Sequence, residues 1–134
     1  MQGEGSRAAI VRRLYEAFDA ARFEPDLFDP GVEYVNPPDA IEPGTRRGVD
    51  QMRDALESVR EGFGEAKVEV ERMEEAGDRV AVRLSMGVRG PASGIEGAVP
   101  QSHLWTIRDG KVVRFEWSFD SDWAFEALGE RPGA

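Results

Sequence analysis

One histidine, His103, stands in a chain of 134 residues that has no cysteine. Its unperturbed pKa lies near neutrality, so it is the one side chain suited to act as a general acid or base at physiological pH. That role requires it to face a cavity; its other reading is a histidine packed on the outer face of a sheet. Tyr34 and Asn36 are two apart in Tyr34-Val35-Asn36, so on a strand they share a face. A phenol and an amide so placed can orient a ligand in an apolar cavity. They can equally satisfy backbone groups where Pro37 stops the strand. Leu84, Met86, Phe115, Trp117 and Phe119 supply an aromatic and thioether surface that would be core and cavity wall at once. Trp117 and Met86 are bulky enough to narrow or plug such a cavity.

Other chemistry is harder to place. Without cysteine there is no thiol nucleophile, disulfide or zinc-thiolate site, and a lone histidine provides no metal cluster. Gly90, Gly94 and Gly97 do not sit between a strand and a helix, so they form no phosphate cradle. Neither a metal nor an organic cofactor is expected. Arg79, Arg83 and Arg89 fall on the polar side of a strand, where solvent or dimer salt bridges with Glu69, Glu71 and Glu116 are expected. Glu74 and Glu75 sit at a hairpin end and are expected in solvent. Asp120 is expected to cap the final helix. The formal charge is −9, from 17 basic and 26 acidic residues. A chain of that sign lacks the basic face that nucleic acid or an anionic membrane requires. No apolar run approaches a membrane span, and Met1 to Arg7 leads into no signal-peptide core. A cytoplasmic location is the expectation.

Positioning these residues falls to a simple order of elements. Ile10, Leu14, Ala17 and Ala21 recur at helical spacing, widened by Val11 and Phe18. Pro25 begins a short helical turn, and residues 32–36 read as a short strand before Pro37 and Pro38. Residues 38–47 read as a loop. Val49, Met52, Leu56, Val59 and Phe63 step by three and four along one helix face. From there, period-two alternation dominates: around Val68 and Val70, then Val80 to Val88, then Ser102 to Arg108, then Lys111 to Phe119. Val113, Phe115, Trp117 and Phe119 are expected on one face. Gly90 to Pro100 is expected to hold a loop or an irregular strand edge, Ala76-Gly77-Asp78 a turn, and Asp109-Gly110 a tight hairpin turn. Residues 122–128 form a last short helix. Helices gathered before an antiparallel sheet define an α+β architecture, in a single domain over residues 1–134 with a core of about 6–129.

This order, with VRRLYEAFDA (Val11 to Ala20), VEYVNPP (Val32 to Pro38) and HLWTIRDGKVVRFEWSFD running into FDSDWAFEALG, resembles the SnoaL-like members of the nuclear transport factor 2 superfamily. The resemblance implies a cone-shaped barrel of a curved, mainly antiparallel sheet covered by the N-terminal helices. It also implies a homodimer through the sheet's outer face, and functions ranging from polyketide cyclases, ketosteroid isomerase and epoxide hydrolases to non-catalytic binding modules. In the isomerase pattern, the phenol donor falls at Leu14, one residue from Tyr15; the carboxylate base falls at Asn36 and the protonated carboxyl at Ser102. An amide cannot take a proton from carbon, so that isomerisation lacks its base. Limonene-epoxide hydrolases carry a Tyr-x-Asn pair like Tyr34 and Asn36, but their Asp–Arg–Asp positions fall at Met86, Leu84 and Trp117. Trp117 is also where SnoaL-type cyclases place an acid/base aspartate.

Residue 103 turns on register. The resemblance turns Ser102 inward and His103 outward into a dimer interface. The greater apolarity of His103, Trp105 and Ile107 over Ser102, Leu104 and Thr106 argues for the opposite register. The apolar residues on both sides of this strand would be partly wet in a monomer, which favours a homodimer. The resulting expectation is an apolar pocket for a small hydrophobic molecule. Its ligand contacts are Tyr34, Asn36, Leu84, Met86, Ser102, Phe115, Trp117 and Phe119, and His103 is the candidate catalytic group. Cofactor-free acid/base chemistry is compatible with that set. The alternative is a non-catalytic binding or dimerisation module with a plugged pocket.

Overall fold

A computed structural model of the chain describes residues 6–63, 67–89 and 96–129. Helix α1 (Ser6–Asp19) and a single 3-10 turn (Pro25–Leu27) lead into strand β1 (Phe28–Asn36). Strand β2 (Gly44–Arg47) and helix α2 (Val49–Phe63) follow, then strands β3 (Lys67–Ala76), β4 (Arg79–Arg89), β5 (Glu96–Arg108) and β6 (Lys111–Ser118), and helix α3 (Trp123–Gly129). Most of the elements read from periodicity are present. The main addition is β2, inside the stretch read as a loop, which pairs antiparallel with β1 from Glu33–Arg47 to Asn36–Gly44. β5 also begins earlier than Ser102. Of the stretch over 90–100 expected to be a loop or an irregular strand edge, residues 96–100 are strand, and residues 90–95 lie outside the described residues.

The six strands form one sheet in the order β2-β1-β6-β5-β4-β3. All neighbours run antiparallel except β1 and β6, which are parallel. The expected cone-shaped barrel does not close. β2 and β3 are the two free edges, and α1 lies against β3 and β4 while α2 lies against β1 and β2. The helices thus occupy the open side across which barrel closure would have to run. They bury Val11, Leu14, Tyr15, Phe18, Met52 and Ala55 against the inner sheet face.

Turn chemistry sets the register. Asp109 and Gly110 have φ of 53° and 76°, the left-handed pair that a two-residue hairpin needs to follow strand twist. One residue further on, a bulge shifts the pairing from Thr106–Arg114 to Ile107–Val112. Val112 therefore turns inward and is fully buried, and Val113 drops out of the face expected to hold it with Phe115. At the end of α1, Arg22 N donates to Ala17 O at 2.8 Å and Ala21 N to Phe18 O at 3.0 Å. Ala21 has φ of 57°, so the helix ends in a Schellman turn with alanine where glycine is usual. Its start is fixed from the sheet. Glu75 is not merely solvated: its Oε1 accepts the Ala8 N–H at 3.1 Å.

Helix α3 lies on the opposite face of the sheet, where Ala124 and Leu128 cover Ala81 and Leu104. It is tied down by Ser102, whose hydroxyl donates to Asp120 O at 2.7 Å and accepts the Ala124 N–H at 3.1 Å. The Asp120 carboxylate does not cap α3 as expected: its Oδ1 accepts the N–H of Asp122, ahead of the helix, at 2.9 Å. Elsewhere this face is laced with charge: Glu33 pairs with Arg47 at 2.8 Å and Arg114 at 2.9 Å, and Arg114 reaches Glu116 at 3.2 Å. Arg83 pairs with Asp122, just before α3, rather than with Glu69, Glu71 or Glu116. Ala81 and Leu104, apolar residues of this face, are covered from within the chain by α3.

Candidate functional site

The alternation of β5 decides the site. With Ser102 and Leu104 committed to α3, the other set, Gln101, His103, Trp105 and Ile107, must face the helices. His103 is therefore inside, 5% exposed, and not on the outer face. The apolarity of the strand indicated the right register; the resemblance-based alignment was one residue off. Between the sheet and helices α1 and α2 lies a cavity of about 300 Å³. Its inner wall is formed by Leu14, Phe28, Tyr34, Met86, Trp105 and Phe115, all buried. Ala21, Arg22, Glu57 and Phe119 are the exposed lining residues and mark where it meets solvent.

The polar content of the deep end is one hydrogen-bonded chain. Trp105 Nε1–H can only donate, and it donates to the Tyr15 hydroxyl oxygen at 3.0 Å. The Tyr15 hydrogen is then directed at His103 Nδ1, 2.7 Å away. An imidazole that accepts at Nδ1 and is neutral carries its hydrogen on Nε2, which donates to Gln101 Oε1 at 2.6 Å. Trp105, Tyr15, His103 and Gln101 thus form a relay whose donors all point the same way. The rings also pack: His103 lies edge-on to Phe115 at 4.8 Å, and Tyr15 edge-on to Trp105 at 5.8 Å.

Burial sets the protonation states. With no carboxylate beside it to stabilise an imidazolium, desolvation pushes the His103 pKa down to about 3. Burial raises the Tyr15 phenol well above its ordinary value, opposed by the Trp105 hydrogen bond. Tyr34 is pushed up to about 12 by burial, partly offset by Arg46. At neutral pH the deep end is uncharged but strongly dipolar.

The residues singled out from sequence divide. Tyr34, Met86, His103, Phe115, Trp117 and Phe119 line the cavity. Leu84 is fully buried in the core beneath and does not line it. Asn36 lies outside the lining and acts through Trp117, whose Nε1–H donates to Asn36 Oδ1 at 2.9 Å. Ser102, expected among the ligand contacts, faces the other way and fastens α3. Sequence reasoning missed Tyr15 and Gln101. The signal for Tyr15 was present: it lies four residues after Val11 and three before Phe18, and those three form the centre of the buried face of α1. The stripe through Ile10 and Ala21 was rotated away from that centre. Among the described residues, no group of three His, Asp or Glu side chains is placed to hold a metal ion.

Residues 11–115 match the SnoaL-like domain family. The chain is a SnoaL-like protein. Its fold recurs in a candidate SnoaL-like polyketide cyclase from Jannaschia sp. CCS1, 22% identical with a TM-score of 0.73 over 98% of this chain and 100% of that one. It recurs in IdmH, a candidate polyketide cyclase from Streptomyces antibioticus, 22% identical with a TM-score of 0.74 over 94% and 100%. TerC, crystallised with polyporic acid, is 25% identical with a TM-score of 0.72 over 94% and 100%. No curated protein matches the sequence. The SnoaL-like chain thus shares its fold with those two candidate cyclases, and among its described residues no helix is long and apolar enough to cross a membrane.

Proposed function

We propose that this SnoaL-like protein takes a small, mostly apolar ring compound into its cavity and orients it through hydrogen bonds at the His103 and Gln101 end. The observation that carries this reading is the pairing of a void of about 300 Å³ with a single buried polar chain at its floor. An engineered apolar void of roughly 150 Å³ already takes up benzene, so this one suits a body of two or so rings. Trp117 and Met86 narrow the space without filling it, which weighs against a plugged module. The co-crystallisation of TerC with polyporic acid supports a ring-bearing ligand. His103, held neutral and with both nitrogens engaged, is a weak base. Orientation of a ligand oxygen by the Gln101 amide NH2 at the end of that polar chain fits the site better than abstraction of a proton from carbon.

Titration of the protein's tryptophan fluorescence with naphthols and hydroxyquinones tests the proposal. Saturable quenching is expected, with Tyr15→Phe and His103→Leu each weakening the best ligand by about tenfold. Absence of saturation across the panel refutes it. A second reading, cofactor-free acid/base chemistry, is favoured by the 2.7 Å contact between Tyr15 and His103 and by the fold shared with the candidate polyketide cyclases. Proton NMR in deuterated buffer addresses it directly. Catalysed exchange at an acidic carbon of the bound ligand, lost in His103→Gln, supports that reading, and no exchange above background removes it.

A further inference from the structure

The outer half of the cavity differs in character from its floor. Three arginines, Arg22, Arg53 and Arg60, reach its lining, against two carboxylates, Glu24 and Glu57. Glu24 is already held by Arg13, whose Nε lies 3.1 Å and 3.2 Å from its two oxygens, and Arg53 has Asp50 at 3.1 Å. Arg60 is different. At least nine arginines among the described residues form ion pairs with a carboxylate, and Arg60 is not one of them. In a chain with 26 acidic residues and 17 basic ones, an arginine that no acidic side chain has claimed is conspicuous.

Its position is nevertheless fixed. The guanidinium carbon sits 4.8 Å from the centre of the Phe18 ring, and Nη2 donates to Phe18 O at 3.2 Å. Nε is shielded from water and has no acceptor. The cation is therefore desolvated along one edge, stacked on a ring and immobilised, a preorganised arrangement that loses little freedom when an anion arrives. A guanidinium whose charge is met only by a carbonyl and a ring quadrupole attracts a carboxylate more strongly than one already paired.

We propose that the ligand is an acid: a ring body against Phe115 and Trp117 carrying one carboxylate or acidic enol, with the anion at Arg60 between α1 and α2. This rests on the cavity being a ligand site, and the experiment separates the two claims. The probes are 2-naphthoate and its neutral isostere 2-naphthamide, titrated by tryptophan fluorescence at neutral pH.

The expected result is about tenfold tighter binding of the acid at low salt, shrinking at high salt as the charge is screened. Arg60→Gln should bring the two probes to parity by weakening the acid far more than the amide, and Arg60→Lys should keep part of the preference. The salt series on the unaltered protein decides the anion claim even if the Arg60 variants do not fold. Equal binding of both probes, or a preference indifferent to salt, overturns that claim and leaves the cavity reading intact. Binding of neither overturns both.

Discussion

A buried imidazole that stays neutral makes the folded state sensitive to acid. The His103 pKa falls to about 3 in the fold from an ordinary 6.5. Above 6.5 both folded and unfolded chains carry a neutral ring, and the residue contributes no pH dependence. Between 6.5 and about 3 the unfolded chain binds a proton that the folded one refuses, so stability falls as pH falls, and the loss levels off below about 3. Chemical denaturation measured across that window should show an acid limb of several kcal/mol. In His103→Gln, which keeps an amide beside Tyr15 and cannot ionise, the part of the limb belonging to this residue should vanish; an unchanged limb would place the acid sensitivity elsewhere. The residue scale was only partly legible in the sequence. The identity of His103 and the apolarity of its strand were readable, but Tyr15 and Gln101 become its partners only through pairing and helix docking that local pattern does not encode.

At the scale of elements, local signals served well where chemistry is local and failed where a neighbour decides. The Asp109-Gly110 turn and the stripe of α2 are legible because left-handed φ and 3.6-residue periodicity are properties of a few residues. β2 was hidden because a four-residue exposed strand of Gly44, Thr45, Arg46 and Arg47 exists by virtue of pairing with β1. The bulge after Thr106 was hidden for the same reason. The Schellman turn offers a direct test: Ala21 holds a φ of 57° that its Cβ opposes. Ala21→Gly is expected to raise stability by about 0.5–1 kcal/mol, with relief of strain outweighing glycine's larger unfolded-state entropy. Equilibrium urea unfolding measures it, and a loss of stability would show that the turn is unstrained.

For the whole molecule, the sheet is a partition with different work on its two faces. One face carries the cavity and its helices; the other is closed by α3 over Ala81 and Leu104 and by ion pairs. Deleting residues 123–134 should leave Leu104 and Ala81 wet and the Ser102 hydroxyl without its α3 partner. The expected outcome is a lower melting temperature and self-association in sedimentation, while the inner cavity still binds its probe. A truncated chain that sediments and melts like the intact one would show that α3 is dispensable to the sheet.

The parallel pairing of β1 with β6 has a kinetic side. Residues 67–118 can zip together from neighbouring hairpins, whereas Tyr34 meets Phe115 only by closing a loop of most of the chain. Loop-closure entropy thus orders assembly: the meander first, then α1, β1 and α2 settling over it. The layer that arrives last is the one that roofs the cavity, so a guest bound beneath it would be felt most as a brake on that layer's departure.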